Sequence, residues 1–319
     1  MHNKAKHNRA VQKAHCIGQP TLRFGCVCWQ LYAAGEYMTI VAAMRFDERI
    51  CVMSDTMISS EGSTRDNIIP GRLKSIVVNE WLTISYAGLS TQAIDAIRVL
   101  DRCSSITTDR VVQYLVETSS KYLNELDFIV CSHESGARLI KIANGKVSEG
   151  ANAYWIGNLQ AATELSKVVM LKTGFNDLPD YMSAEEVIFK DAFNTYMREN
   201  RCKGIGGVII DCLCSPYGHC YNTHAGAFSW DTIILGKDDY DERQEKNKTG
   251  MYHYEYNVQS TSTRGQAIIG FYLNQAQTGY IYDPIHYDEA MKVENVGLTS
   301  FSHLIEDAGK VLAKKQHKK

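Results

Sequence analysis

"EYMTIVAAMRFDERICVMSDTM", residues 36–57, is the stretch on which the reading of this chain turns. Two apolar runs, "TIVAAM" and "RICVMS", flank a short polar reversal. Both runs carry β-branched and apolar residues on both faces, which predicts two strands of a sheet covered on both sides. The first opens on the hydroxyl of Thr39 and the second ends on the carboxylate of Asp55. A buried hairpin that begins and ends on polar groups asks for a chemical reason.

Downstream, a loop rich in Ser, Gly and Asp, "SSEGSTRDNIIPG", leads to two more short strands, "KSIVVN" and "WLTISYAG". The period then changes. "STQAIDAIRVLDRC" sets Ala93, Ile94, Ile97 and Leu100 on one helical face, with Ser90 able to cap its start. "TTDRVVQYLVETSSKYLNEL" is a second amphipathic helix. Strands return at "DFIVCSH", "ARLIKIAN" and "ANAYWIGN", two helices are expected near 160–174 and 183–200, and "GGVIIDCLC", "HCYNTHAG" and "DTIILG" complete the strand set. Strands and helices in runs, rather than in βαβ alternation, predict an α+β protein of stacked layers. A four-layer αββα sandwich over residues 38–235 is the economical solution: each helix pair covers one outer face, and the two sheets cover each other. Residues 236–319 form a C-terminal extension expected to pack on that core. It holds the charge run "DDYDERQEKNK", the Tyr-rich segments "MYHYEYNV" and "GYIYDP", and a final helix with basic residues near its end. Such tyrosines suit either an interface or half-buried strands.

Composition narrows the function classes. The 319 residues are 45% hydrophobic and 22% charged, near the soluble globular average. A net charge of −2 argues against a broad nucleic-acid footprint. No apolar run approaches the roughly 18–20 residues that span a bilayer. Ten cysteines are too sparse for a disulfide scaffold and lie mostly in apolar runs, which favours a reducing, cytoplasmic setting. Residues 1–37 differ in composition from the rest of the chain. They read as a mis-started upstream stretch before translation at Met38, as a removable pro-segment, or as a secretory signal, in that order of fit.

The residues "TIVAAM…ICVMSDTM…LKSIVV…LTISYAGLSTQAIDAIRVL" resemble the N-terminal half of proteasome β-type subunits and the bacterial HslV peptidase, which are N-terminal nucleophile hydrolases of four-layer αββα fold. The resemblance is best over 38–103 and has no counterpart beyond about residue 235. Four positions fall into register with it. Asp55 stands sixteen residues after Thr39, and Gly88 fourteen after Lys74, as in the family; the interval from Asp55 to Lys74 is three residues longer, within the Ser/Gly loop. The resemblance implies catalytic roles for Thr39, Asp55, Lys74 and Gly88, a peptide or amide substrate, no cofactor and no metal, assembly into a homo-oligomer, and an ATPase unfoldase as partner.

That chemistry has physical demands. A threonine hydroxyl is a weak nucleophile at neutral pH and needs a base beside it. In this class the base is the nucleophile's own α-amino group, with a free pKa of roughly 7.7–8.0. Thr39 must then be the first residue of the mature chain. A Lys74 ammonium would hold that amine's pKa down, Asp55 would keep Lys74 charged and oriented, and the Gly88 N–H would face the developing oxyanion. The sequence also departs from the family. Met38, not Gly, precedes the nucleophile, and a rival register sets Met38 itself at that position, leaving the chain inactive. "IGNLQ" carries Asn158 where the family has Ser, and "RCKGIGG" has Cys202 and Ile205 in place of Asp and Ser. The alternatives are therefore an inactive assembly or binding subunit and a small-amide hydrolase on the same fold. Cys212, Cys214, His219 and Cys220 gather in "CLCSPYGHC", but a C-x-C spacing is not a zinc knuckle, and alternation sets Cys212 and Cys214 on one sheet face. "NKT" at 247 is a glycosylation acceptor only in a secreted chain.

Overall fold

A computed structural model describes residues 39–57, 71–103, 105–171, 183–199, 205–230, 252–263, 266–283, 285 and 289–316. Residues 1–38, most of the Ser/Gly loop, Cys202, the "DTIILG" run and the charge run after it lie outside them. Along the chain come β1 (Ile40–Phe46), β2 (Arg49–Ser54), β3 (Ser75–Asn79), β4 (Leu82–Gly88), α1 (Ser90–Asp101), α2 (Thr108–Lys121), β5 (Leu126–Ser132), β6 (Arg138–Ala143), β7 (Lys146–Glu149) and β8 (Ala153–Gly157). Then come α3 (Leu159–Leu171), α4 (Ala184–Glu199), β9 (Ile210–Ser215), β10 (Gly218–Tyr221), β11 (His224–Trp230), β12 (Tyr252–Thr263), β13 (Gln266–Leu273), β14 (Thr278–Tyr282), β15 (Met291–Glu294) and α5 (Leu298–Gln316).

The described strands form three five-stranded sheets, ordered β10-β9-β2-β1-β8, β3-β4-β5-β6-β7 and β11-β12-β13-β14-β15. Every described ladder is antiparallel. Alternation sorts the side chains. In β1, Ile40, Ala42 and Met44 pack with Phe189, Phe193 and Tyr196 of α4, while Val41 and Ala43 turn inward. In the second sheet, Ile84, Tyr86 and Phe128 lie under Ile97 of α1 and Leu115 of α2, while Val77, Ala87 and Ile129 face the first sheet. Helix α1 starts differently from expectation. Leu89 occupies its cap position with no side-chain hydrogen bond, and Ser90 is already helical. Helix α2 is capped by Thr107, whose hydroxyl accepts from Arg110 N at 3.4 Å. Four charges at the α4 face join in one network: Arg49 with Glu186 (3.0 Å), and Lys190 with Glu186 (3.3 Å) and Asp211 (2.9 Å).

The third sheet joins strands from both sides of residue 236, since β11 pairs with β12 from His224↔Val258 to Trp230↔Tyr252. Tyr254, Tyr256, Phe271, Tyr280 and Tyr282 enter the same central cluster as Val41 and Val77. The Tyr-rich segments are thus core strands. The opposite face, with Ile268, Tyr272 and Ile281, packs under Phe301 and Ile305 of α5. Gly270 and Gly279 make the slot for Phe301. A Cβ at Gly279 would lie 2.1 Å from a Phe301 ring carbon, and one at Gly270 2.5 Å from Ile305 Cδ1. Overpacking costs about 1–3 kcal/mol, so Gly279→Val is expected to destabilise the fold by about that much, read as a lowered urea midpoint. Adding Phe301→Leu should restore part of the loss, a coupling that a double-mutant cycle measures.

Away from Thr39, two histidines link the turn after β1 to β4. His133 Nε2 meets Glu48 O at 2.7 Å, His133 Nδ1 meets His219 Nε2 at 2.8 Å, and His219 Nδ1 meets Thr83 Oγ1 at 2.9 Å. A carbonyl only accepts, so His133 carries its proton on Nε2, His219 donates from Nε2, and Thr83 donates to His219 Nδ1. A further proton on His133 sets its Nδ1–H against the His219 Nε2–H unless His219 changes tautomer. Burial holds the His133 pKa below the usual value, with the carbonyl of Glu48 pulling it back up. A depressed histidine takes up a proton on unfolding, so its stabilising effect is full above the unfolded pKa of about 6.5 and is lost as pH falls through the folded value. Thermal melts from pH 7.5 to 5 are expected to show this loss, and His133→Gln should flatten it.

Among the described residues no helix is long and apolar enough to cross a membrane.

Candidate active site

Thr39 is the first described residue and is buried. It stands in phase with Val41 and Ala43, so its side of the strand is the one that faces the space between the sheets. Its carbonyl is fixed at the head of α3. Asn158 N donates to Thr39 O at 2.7 Å, and Gly157, at φ +97°, comes so close that a Cβ there would lie 2.1 Å from that oxygen. Only a residue without a side chain lets the two backbones approach in this way. The Asn158 side chain caps α3, its Oδ1 accepting from Ala161 N at 2.9 Å. The amide at the position where the resemblance has a serine is therefore occupied in building the helix. Partial positive charge at the α3 N-terminus lies beside Thr39, where it disfavours a second cation.

Asp55 and Lys74 come from different sheets, one just after β2 and the other just before β3. Lys74 Nζ donates to Asp55 Oδ1 at 2.7 Å and to Met57 O at 2.6 Å. The same Oδ1 accepts from Ile40 N at 3.1 Å, and Oδ2 from Gly206 N at 3.4 Å. One carboxylate oxygen thus ties the lysine ammonium to the peptide that comes after Thr39. Asp55 is wholly buried and Lys74 nearly so. Burial pushes the Asp55 carboxyl up against the pull of Lys74. It pushes the Lys74 ammonium down against the pull of Asp55. A lysine so held gives up its proton more readily than one in water.

Gly88 ends β4 at φ +103°, a conformation that L side chains rarely adopt, and is exposed. It lies two residues past Tyr86, whose N–H donates to Lys74 O at 2.8 Å. No described hydrogen bond joins it to Thr39 or Asp55. The structure therefore joins Asp55 and Lys74 by a hydrogen bond and ties Asp55 to Ile40, the residue after Thr39; no described hydrogen bond joins Thr39 itself to either, and Gly88 lies along the strand beside Lys74. Three contributors were not legible as site residues: Met57 through its carbonyl, Gly206 through its N–H, and Gly157 through its missing side chain. All act through the backbone. The only sequence signals for them are the glycines in "IGNLQ" and "GIGG".

The cysteine cluster has a different outcome. Cys212 and Cys214 are buried in the central cluster as free thiols, and His219 is engaged with Thr83 and His133. Among the described residues no three His, Cys, Asp or Glu side chains converge as metal ligands. Neither the family models nor the curated proteins compared with the chain gave a match.

Proposed function

We propose that this chain is an N-terminal threonine amidohydrolase of the proteasome-like αββα class, cleaving peptide or other amide bonds. The observation that carries the reading is the double use of Asp55 Oδ1, which holds Lys74 Nζ at 2.7 Å and Ile40 N at 3.1 Å. This binds a cation to the residue next to the nucleophile position, and it favours Thr39 over Met38 as the residue that Lys74 serves. The α-amine of Thr39, once free, takes the hydroxyl proton as Oγ attacks the amide carbonyl. Lys74 stabilises the alkoxide, and the Gly88 N–H receives the oxyanion. Collapse expels the amine with that proton and leaves an ester on Thr39, which water then hydrolyses to free acid and threonine. Assembly into a homo-oligomer that shelters the nucleophile, with or without an unfoldase, belongs to the same reading by resemblance. The absence of any cofactor belongs to it too, and a cytoplasmic setting is proposed from the cysteine usage.

The second reading, a non-catalytic assembly or binding subunit, is favoured by one feature: the Asn158 side chain caps α3 instead of facing the nucleophile. The deciding experiment is the intact mass and N-terminal residue of the protein purified from its own host. A chain that begins at Thr39 agrees with catalysis. Retention of Met38 or of anything upstream removes the base and overturns it.

A further inference from the structure

The Asp55–Lys74 pair crosses from one sheet to the other, and the residue just inside each partner repeats the crossing. Ser75 Oγ donates to Ser54 Oγ at 3.1 Å, and Ser85 Oγ donates to Ser75 Oγ at 2.9 Å. All three serines are fully buried. Ser75 and Ser85 are direct partners in the β3–β4 ladder, and Ser54 faces Val41 in β1–β2. Tyr221 of β10 fixes the same strand, donating to Ser75 O and accepting from Val77 N, each at 3.1 Å. Around the ladder the inner faces are apolar, with Val41, Val52, Val77, Ala87 and Ile129.

Stability alone does not call for hydroxyls here. Apolar groups of similar shape at all partners of a buried hydrogen bond are close to neutral for stability. Hydroxyls give what alanines cannot, a fixed direction and spacing between two sheets that have no backbone ladder between them. From this geometry we infer that Ser75, with Ser54 and Ser85 as its two anchors, is a positioning residue that sets the separation of β2 and β3 and so holds Lys74 on Asp55. The inference rests on the catalytic reading for its purpose, but its physical content is the geometry of the ion pair.

The test uses the full chain with 13C at the lysine ε-carbons. The Lys74 resonance is assigned by its loss in Lys74→Arg. Three variants are compared with the parent: Ser75→Ala, Ser75→Thr, and the combined Ser54→Ala/Ser75→Ala/Ser85→Ala, which leaves no hydroxyl stranded if the single alanine folds poorly. Loosening the pair admits water, so the Lys74 titration is expected to rise toward the ordinary lysine value by about threefold or more in proton affinity. Ser75→Thr should return it to the parent value. Hydrolysis of a peptidyl aminocoumarin is expected to fall roughly ten- to hundredfold in kcat with KM little changed, as for a displaced catalytic group. An unchanged Lys74 titration in the triple alanine variant overturns the inference, whatever happens to activity or melting. A moved titration in a chain that shows no hydrolysis in its parent form upholds the ladder and removes the catalytic reading instead.

Discussion

Lys74→Met is expected to destabilise the fold by about 3–5 kcal/mol, the loss seen when one partner of a buried ion pair is removed. The side chain that disappears donates to Asp55 and to Met57 O, and Asp55 is left wholly buried with only the N–H groups of Ile40 and Gly206. Two backbone donors, one of them at 3.4 Å, do not replace an ammonium. The effect has a signature in pH. Without Lys74, burial raises the Asp55 pKa further above its unfolded value, so the folded state binds the proton more readily than the unfolded one. Stability then falls as pH rises through the window between those two values and recovers below it. Relative to wild type, the penalty in urea midpoint should therefore shrink from pH 7.5 to pH 5, opposite in direction to the His133 effect. Asp55→Asn added to Lys74→Met should recover a sizeable share at pH 7.5, because no stranded charge remains. A penalty that is small and independent of pH would show that the pair is hydrated and that its geometry is not what holds β2 and β3 together.

What the sequence makes legible is periodicity. Ala93, Ile94, Ile97 and Leu100 share a helical face and are buried on the second sheet. Val41 and Ala43 alternate with Ile40 and Ala42 between two clusters, as runs apolar on both faces imply. The pairing of Asp55 with Lys74 was legible only through register, since neither residue is informative alone. The hidden features have physical reasons of the same kind. The start of α1 depends on a backbone turn at Leu89 and not on the hydroxyl of Ser90, so the residue type misleads there. The tyrosines of β12 and β14 look amphipathic in sequence. They become core because the third sheet lies against the open side of the first two, a tertiary fact with no local signal. Asn158 reads as a lost serine, yet its position at the head of α3 gives it capping work that only the fold reveals. The serines at 54, 75 and 85 are thirty-one residues apart from first to last, and nothing in their spacing announces a ladder across two sheets.

On the proposed catalytic reading, Thr39→Ala is expected to lower amide hydrolysis by about 10⁴- to 10⁶-fold in kcat, the loss that accompanies removal of a nucleophile acting as a unit with its base. Its effect on the fold should be small, about 1 kcal/mol or less. What holds the residue is its backbone, through Asn158 N on its carbonyl and the neighbouring Ile40 N on Asp55. Thr39→Ser keeps hydroxyl and amine and should retain measurable turnover. The comparison is to be made on chains whose first residue is 39, since any preceding residue turns the amine into an amide with no basicity. In such chains the acid limb of kcat/KM reports the free α-amine. The Lys74 ammonium and the α3 N-terminus both disfavour a second cation at that place, so the limb should lie below the ordinary range of about 7.7–8.0. Undiminished hydrolysis in Thr39→Ala would remove Thr39 from the mechanism and leave the Asp55–Lys74 pair a structural one. Absence of hydrolysis in the Thr39-initiated wild type, with the fold intact, would favour the binding subunit. The distinction is chemical: the pair stabilises the fold in either case, but only a free amine beside a hydroxyl turns it into a catalyst.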